Sequence, residues 1–179
     1  IIKDNKEYEI VSNLIGEHYI SNISGALALA YLNGISIEES LEAIKTFPGV
    51  KRRTEFLGSI NKIKVYDDYG HHPTEMTATI KALKEITLGK LYVIFQPHRY
   101  TRTKNSFEDF KQALLKADSA VVVDIYPAGE KPIPGVSSKN FEQMNIKYLK
   151  SMRLVPSYLL NHINKNDTIL TLGAGDITL

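Results

Sequence analysis

Three polar runs follow strand-like segments, and each holds residue types that do chemistry. The first is Asp67-Asp68-Tyr69-Gly70-His71-His72-Pro73-Thr74-Glu75. Two acids and two histidines at a strand-to-helix turn can bind a metal, orient a ribose or move protons. A lone Asp there more often caps the next helix. The whole cluster points to a task, because burying so much polarity without one is costly. The second run is Gln96-Pro97-His98-Arg99-Tyr100-Thr101-Arg102. Arg99 and Arg102, three apart on a turn, can face one side, and guanidinium forks suit carboxylate or phosphate. Together with His98 they favour an anion site over a solvated basic loop. The third run, Gly173-Ala174-Gly175-Asp176, lets backbone approach a ligand closely. It is only half of a dinucleotide fingerprint, and a tight turn explains it equally well. A basic stretch, Lys51-Arg52-Arg53, is either a solvated face or a reach toward a phosphate.

Other chemistries lack their residues. No Gly-x-x-x-x-Gly-Lys-Ser/Thr loop occurs, so the sequence holds no triphosphate cradle of that type. There is no Gly-x-Ser-x-Gly and no cysteine, hence no disulfide framework and no thiolate metal site. His72-x-x-Glu75 is half a metal-binding helix motif, disturbed by Pro73, and no metal ligand set is assigned.

The elements that must position these runs alternate. Residues 7–15 read as a short strand, 21–33 as a helix apolar all round and therefore buried, and Gly34 as its C′ residue. Ser36 then caps a helix ending near Lys45. Pro48-Gly49 marks a domain boundary. Beyond it the pattern predicts strands at 61–67, 91–95, 120–125, 146–148 and 168–172. Helices are expected from Pro73 to 86, over 106–117, weakly over 138–144, and over 155–163. Residues 126–138, with three prolines and two glycines, are a loop. This order predicts an α/β fold, a Rossmann-like open and mainly parallel sheet with helices on both faces, preceded by a short, mostly helical segment. Ligands of such sheets bind beyond the carboxyl ends of the strands, where the three polar runs fall.

Composition is that of a soluble globular protein, 43% hydrophobic and 23% charged. A net charge of +2 gives no argument for nucleic acid or a membrane surface. No run approaches the ~20 apolar residues of a membrane span, and a cytoplasmic location fits. The sequence opens on Ile1 and stops just after the glycine turn, so it reads as a piece of a longer protein.

Taken together, the runs resemble the Mur ligases of peptidoglycan synthesis. The resemblance covers about Gly16 to Asp176 and rests on Gly16-x-His18-x-x-x-Asn22, Pro48-Gly49-Val50-Lys51-Arg52-Arg53, the two long polar strings, Tyr126-Pro127-Ala128-Gly129-Glu130 and Gly173-Ala174-Gly175-Asp176. Tyr69, Gly70 and Glu75 favour the alanine-adding branch over the branch that recycles murein tripeptide. The resemblance implies a three-domain, ATP- and magnesium-dependent enzyme. Such an enzyme phosphorylates the carboxylate of UDP-N-acetylmuramate and lets L-alanine attack the acyl phosphate. Residues 1–47 would end the central ATP-binding domain and 48–179 would form the amino-acid-binding C-terminal domain, inactive alone. It implies Arg53 at the ATP phosphates, with Arg53 and His71 catalytic. Asp68 would lie at the ribose, His18 and Asn22 near adenine, and Tyr69, His71, His98, Arg99 and Arg102 around the alanyl end. The family usually has Asn directly after the histidine, where Tyr19 stands here. Two other classes stay open: a non-catalytic binding module of the same fold, and a metal-dependent hydrolase using Asp67, Asp68, His71 and His72.

Overall fold

The structure, a computed structural model, describes residues 2–3 and 6–177. The chain divides into two compact units, Ile1–Val50 and Lys51–Leu179.

In the first unit, strands β1 (Ile2–Lys3) and β2 (Lys6–Glu7) pair antiparallel. The strand expected over 7–15 is confined to this ribbon; residues 8–15 carry no regular structure. Helix α1 runs Glu17–Leu32, four residues longer at its start than its apolar stretch predicts. Asn33 caps its end and Gly34 follows at φ +86°, the left-handed turn that glycine adopts without strain. Helix α2 (Ile37–Thr46) opens with a capping box: Ser36 accepts from Glu39 N–H, and the Glu39 carboxylate accepts from Ser36 N–H. Only Ile23 and Leu27 of α1 are buried, whereas Ile20, Leu29 and Leu32 are exposed. A helix apolar all round is normally covered all round, so this one carries more apolar surface than its own unit covers.

The second unit is a six-stranded sheet in the order β3-β4-β8-β5-β6-β7. Its members are β3 (Glu55–Ile60), β4 (Ile63–Asp68), β5 (Leu91–Phe95), β6 (Ser119–Val122), β7 (Ile146–Tyr148) and β8 (Thr168–Leu172). All pairs are parallel except the hairpin β3–β4. The hairpin turns at Asn61 and Lys62, both at positive φ (51° and 65°), the geometry that two-residue hairpins favour. Asn61, expected to start a strand, is therefore a turn residue.

Helix α3 (Pro73–Ile86) runs as predicted. Proline opens it because its missing N–H needs no partner there. Met76, Ile80 and Leu83 lie on one face and are fully buried, each burial being worth about 1.5–3 kcal/mol. The helix expected over 106–117 is α5 (Phe107–Leu114), and a short helix α4 (Tyr100–Asn105) precedes it. Residues 138–141 form a single 3-10 turn, and α6 spans Val155–Leu160. Helices cover both faces. Phe95 packs on Phe110 of α5 (ring centroids 5.2 Å apart), and α3 lies alongside α5. On the opposite face Ile94, Val121 and Val155 of α6 cluster, with Tyr158 and Leu159 against them. The chain reaches β5 from β4 across the place that β8 later fills. The carboxyl ends of β4, β8 and β5 therefore lie side by side, where the three polar runs emerge.

Candidate active site

Asp67 and Asp68 end β4 with side chains committed inward. Asp67 is 1% exposed and accepts from Thr171 Oγ1 (2.6 Å) and Arg52 Nε (3.1 Å). Asp68 accepts from the backbone N–H of Thr54 (2.7 Å) and of Gly70 (2.6 Å). Burial pushes its carboxyl above the ordinary carboxylate range, opposed by those N–H groups. The resemblance puts Asp68 at a ribose; here both its oxygens hold the protein's own loops. Among the described residues no three His, Asp or Glu side chains converge as metal ligands. With both acids engaged in this way, the arrangement gives no support to a hydrolase built on Asp67, Asp68, His71 and His72.

The adjacent arginines separate sharply. Arg52 lies under the site: besides Asp67, its guanidinium donates to Gly173 O (2.5 Å) and Gly175 O (3.4 Å). Arg53 has a half-exposed side chain, 3.6 Å from Glu75 and 5.8 Å from the Tyr69 ring. It stands between two residues at positive φ, Arg52 (56°) and Thr54 (48°). Such conformations cost energy in non-glycine residues and persist where surroundings fix them. Here Asp68 on Thr54, Glu55 on Arg52 N–H and the Tyr69 N–H on Arg52 O fix them.

His72 caps α3, its Nδ1 accepting from Thr74 N–H, and Glu75 completes the box. The capping role that the sequence offered to an Asp at this turn thus falls to His72. Burial raises the Glu75 pKa, but the N–H of His71 and the charges of His71 and Arg53 outweigh it and hold it below the usual range. His71 lies 5.3 Å from the Tyr69 ring, edge-on, and 6.1 Å from the His98 ring. Its Nδ1 is 3.2 Å from Tyr69 O. A carbonyl can only accept, so Nδ1 carries the proton and, in the neutral ring, Nε2 keeps its lone pair.

His98 stacks on Tyr126 (5.5 Å, 14°) and meets Arg102 Nη1 through its Nδ1 (3.5 Å). Burial lowers its pKa, and the nearby positive charges of Arg102, His71 and Arg99 lower it further. Arg99 is exposed, at φ +72°, and its N–H donates to Tyr126 O (2.8 Å). It precedes α4, whose first turn is capped from a distance: Glu130 accepts from Thr101 N–H (3.0 Å) and Oγ1 (2.6 Å). Arg53, Tyr69, His71, His98 and Arg102 are thereby joined by successive contacts, with Arg99 at the edge through Tyr126. His18 and Asn22 belong to the other unit, one turn apart on α1. There Asn22 borders an apolar groove with Leu14, Tyr19, Ile23 and Phe47. Sequence reasoning missed Tyr126 as a site wall and the Gln96–Asp176 pair, in which Gln96 Nε2 donates to Asp176 Oδ1 (2.8 Å). The partners are 80 positions apart and nothing local signals the pairing.

Residues 52–175 match the family described as Mur ligase, glutamate ligase domain. A UDP-N-acetylmuramate--L-alanine ligase from Geotalea daltonii is 42% identical over 98% of this chain and 40% of its own length. The chain belongs to the Mur ligase family. A second relative with the same name, from Caldicellulosiruptor saccharolyticus, is 40% identical over 97% of the chain and 40% of its own length. The chain thus spans about 40% of the length of the Mur ligases that it matches. Among solved Mur ligases, UDP-N-acetylmuramate-alanine ligase from Thermotoga maritima superposes with a TM-score of 0.79 at 27% identity, covering 98% of this chain and 39% of that one. A murein peptide ligase from Psychrobacter arcticus shares the fold, with a TM-score of 0.64 at 23% identity, covering 97% and 38%.

Proposed function

We propose that this chain supplies the amino-acid-accepting side of an ATP-dependent ligase that joins L-alanine to the lactyl carboxylate of UDP-N-acetylmuramate. The observation that carries the reading is the joining of Arg53, His71, His98 and Arg102 at the carboxyl ends of β4 and β5, in a member of this family. In the reaction, a carboxylate oxygen takes the γ-phosphoryl group of ATP, releasing ADP. The amine of L-alanine attacks the acyl carbon, phosphate leaves, and the amine gives up its proton.

Arg102 and Arg99 hold the carboxylate of the incoming amino acid, which fixes its amine for attack. His98, its pKa lowered by burial and the neighbouring positive charges, lines that pocket against Tyr126. His71 offers Nε2 to the amine proton. Arg53, on its strained and clamped loop, reaches the phosphates, where a guanidinium offsets developing charge. Asp68 serves the nucleotide side by holding that loop through Thr54. Adenine lies toward His18 and Asn22 in the unit that belongs to the ATP-binding domain; residues 1–47 are assigned there and 48–179 to the C-terminal domain. Magnesium, held mainly by the central domain, would offset charge on the phosphates. The described residues offer it no ligand cluster, so no step here passes through it. The enzyme works in the cytoplasm, where its nucleotide substrates are.

The test is phosphate release by the full-length gene product with UDP-N-acetylmuramate, ATP and magnesium. L-alanine is compared with other amino acids and with murein tripeptide. Preference for L-alanine supports the reading. Preference for tripeptide moves the chain to the recycling branch, and no turnover with any acceptor overturns the ligase assignment.

A further inference from the structure

Gln96 directly follows β5 with its side chain sealed in; the residue is 7% exposed. Its Nε2 is committed to Asp176, and its Oε1 is buried without a hydrogen-bond partner among the described residues. A buried, unpaired amide oxygen is costly, and an apolar side chain of similar volume would avoid the cost. Packing alone therefore does not explain an amide here. What the amide does is visible on its other side. By holding Asp176 it presses the Gly173–Asp176 turn onto the loop that follows β5. The contact is so close that a Cβ on Gly175 would fall 2.4 Å from Gln96 Oε1 and 2.7 Å from Tyr126 Cγ. From the opposite side Arg52 holds the same turn by its Gly173 and Gly175 carbonyls. Tyr126, wedged by this turn, is the ring on which His98 stacks, and its carbonyl receives the Arg99 N–H.

We propose that Gln96 and Asp176 form a positioning latch for the amino-acid pocket: they fix the glycine turn against Tyr126 and thereby set His98 and the loop carrying Arg99 and Arg102. The inference rests on the ligase reading for its substrate, but the coupling from Gln96 to His98 is independent of it. Asp176 and Gln96 touch no reacting atom; they act through Tyr126.

The experiment uses the full-length protein with four variants. Gln96→Leu removes both the latch and the unpaired oxygen. It is expected to fold at least as stably as the parent yet to raise KM for the amino acid about tenfold, with KM for ATP and for the UDP-sugar within twofold. Gln96→Glu sets two carboxylates side by side. It shows the same defect at pH 8 and regains amino-acid affinity near pH 6, because a shared proton restores the donor that Asp176 needs. Asp176→Ala reproduces the defect, and Asp176→Asn, which keeps a carbonyl acceptor for the Gln96 amide, rescues it. A side chain that merely supports the fold would lower melting temperature and reduce all three substrate affinities alike, with no recovery at low pH; that result overturns the latch. The NMR signals of the His98 ring give a readout without turnover. They move in Gln96→Leu and return in Asp176→Asn if the latch exists, and an unchanged His98 signal in Gln96→Leu overturns it. Failure of the parent to use any amino acid would sink the ligase reading while the His98 signals still decide the latch.

Discussion

Arg52 and Arg53 are neighbours of the same type, and the structure assigns them opposite consequences. Replacing Arg52 with alanine strands Asp67, whose side chain is 2% exposed, with Thr171 as its remaining side-chain donor, and leaves the carbonyls of Gly173 and Gly175 without theirs. Removing one partner of a buried pair costs about 3–5 kcal/mol. Because the Arg52 side chain is 29% exposed, the lower end applies, about 3 kcal/mol. For a domain of this size that is a fall in melting temperature of roughly 10 °C. Arg53→Ala removes an ion pair whose partners are 47% and 39% exposed, worth less than about 1 kcal/mol. Urea and thermal unfolding of the two variants beside the parent is the assay, with ATP-dependent turnover of the full-length enzyme measured in parallel. Arg52→Ala is expected to lose stability, and Arg53→Ala to lose turnover at nearly unchanged stability. Asp67→Asn in the Arg52→Ala background should recover part of the loss, since the stranded charge is gone. Equal stability of the two arginine variants, or no coupling between Arg52 and Asp67, would refute the placement of Arg52 beneath the site.

Other outcomes follow from the same geometry. Arg99→Ala or Arg102→Ala should raise KM for the amino acid roughly 10- to 100-fold, the equivalent of about 1.5–3 kcal/mol for a charge-assisted bond; unchanged amino-acid kinetics would remove these residues from the pocket. Burial and the neighbouring positive charges lower the His98 pKa in the folded protein, so the unfolded chain binds a proton more readily, and stability falls as pH drops below the ordinary histidine value of ~6.5. His98→Gln should flatten that slope in melting temperature between about pH 7 and 5, and an unaltered slope would contradict the lowered pKa. Gly175→Ala must displace Gln96 or Tyr126 and should cost about 1–3 kcal/mol, read by denaturant midpoint.

The parallel core was legible because a fully buried strand writes itself as an unbroken apolar run, as Leu91–Phe95 does. The edge strand β3 was missed for the converse reason. Phe56, Leu57 and Ile60 are all exposed, Gly58 lies beside a register shift, and no alternation survives. Helix α4 was hidden too: Tyr100–Asn105 is short and polar, and its N-terminal cap comes from Glu130, 29 residues away. The site's chemistry was readable as three polar runs, but not their inner division. That Arg52 turns in to meet the buried Asp67 while Arg53 stays at the surface depends on backbone turned through positive φ, which residue type did not foretell.

The place of β8 bears on how the molecule is made. It follows every other strand among the described residues, yet it lies between β4 and β5 and supplies hydrogen bonds to both. A nascent polypeptide can shape the hairpin β3–β4 and the β5–β6–β7 group as they emerge, but the two stay as separate halves with unsatisfied inner edges until Thr168–Leu172 is synthesised. Those edges are rows of open donors and acceptors flanked by Leu91–Phe95, the sort of surface on which unfinished chains stick to one another. Production of this protein should therefore be sensitive to truncation before residue 172 and to chaperone supply, far more than its finished sheet would suggest.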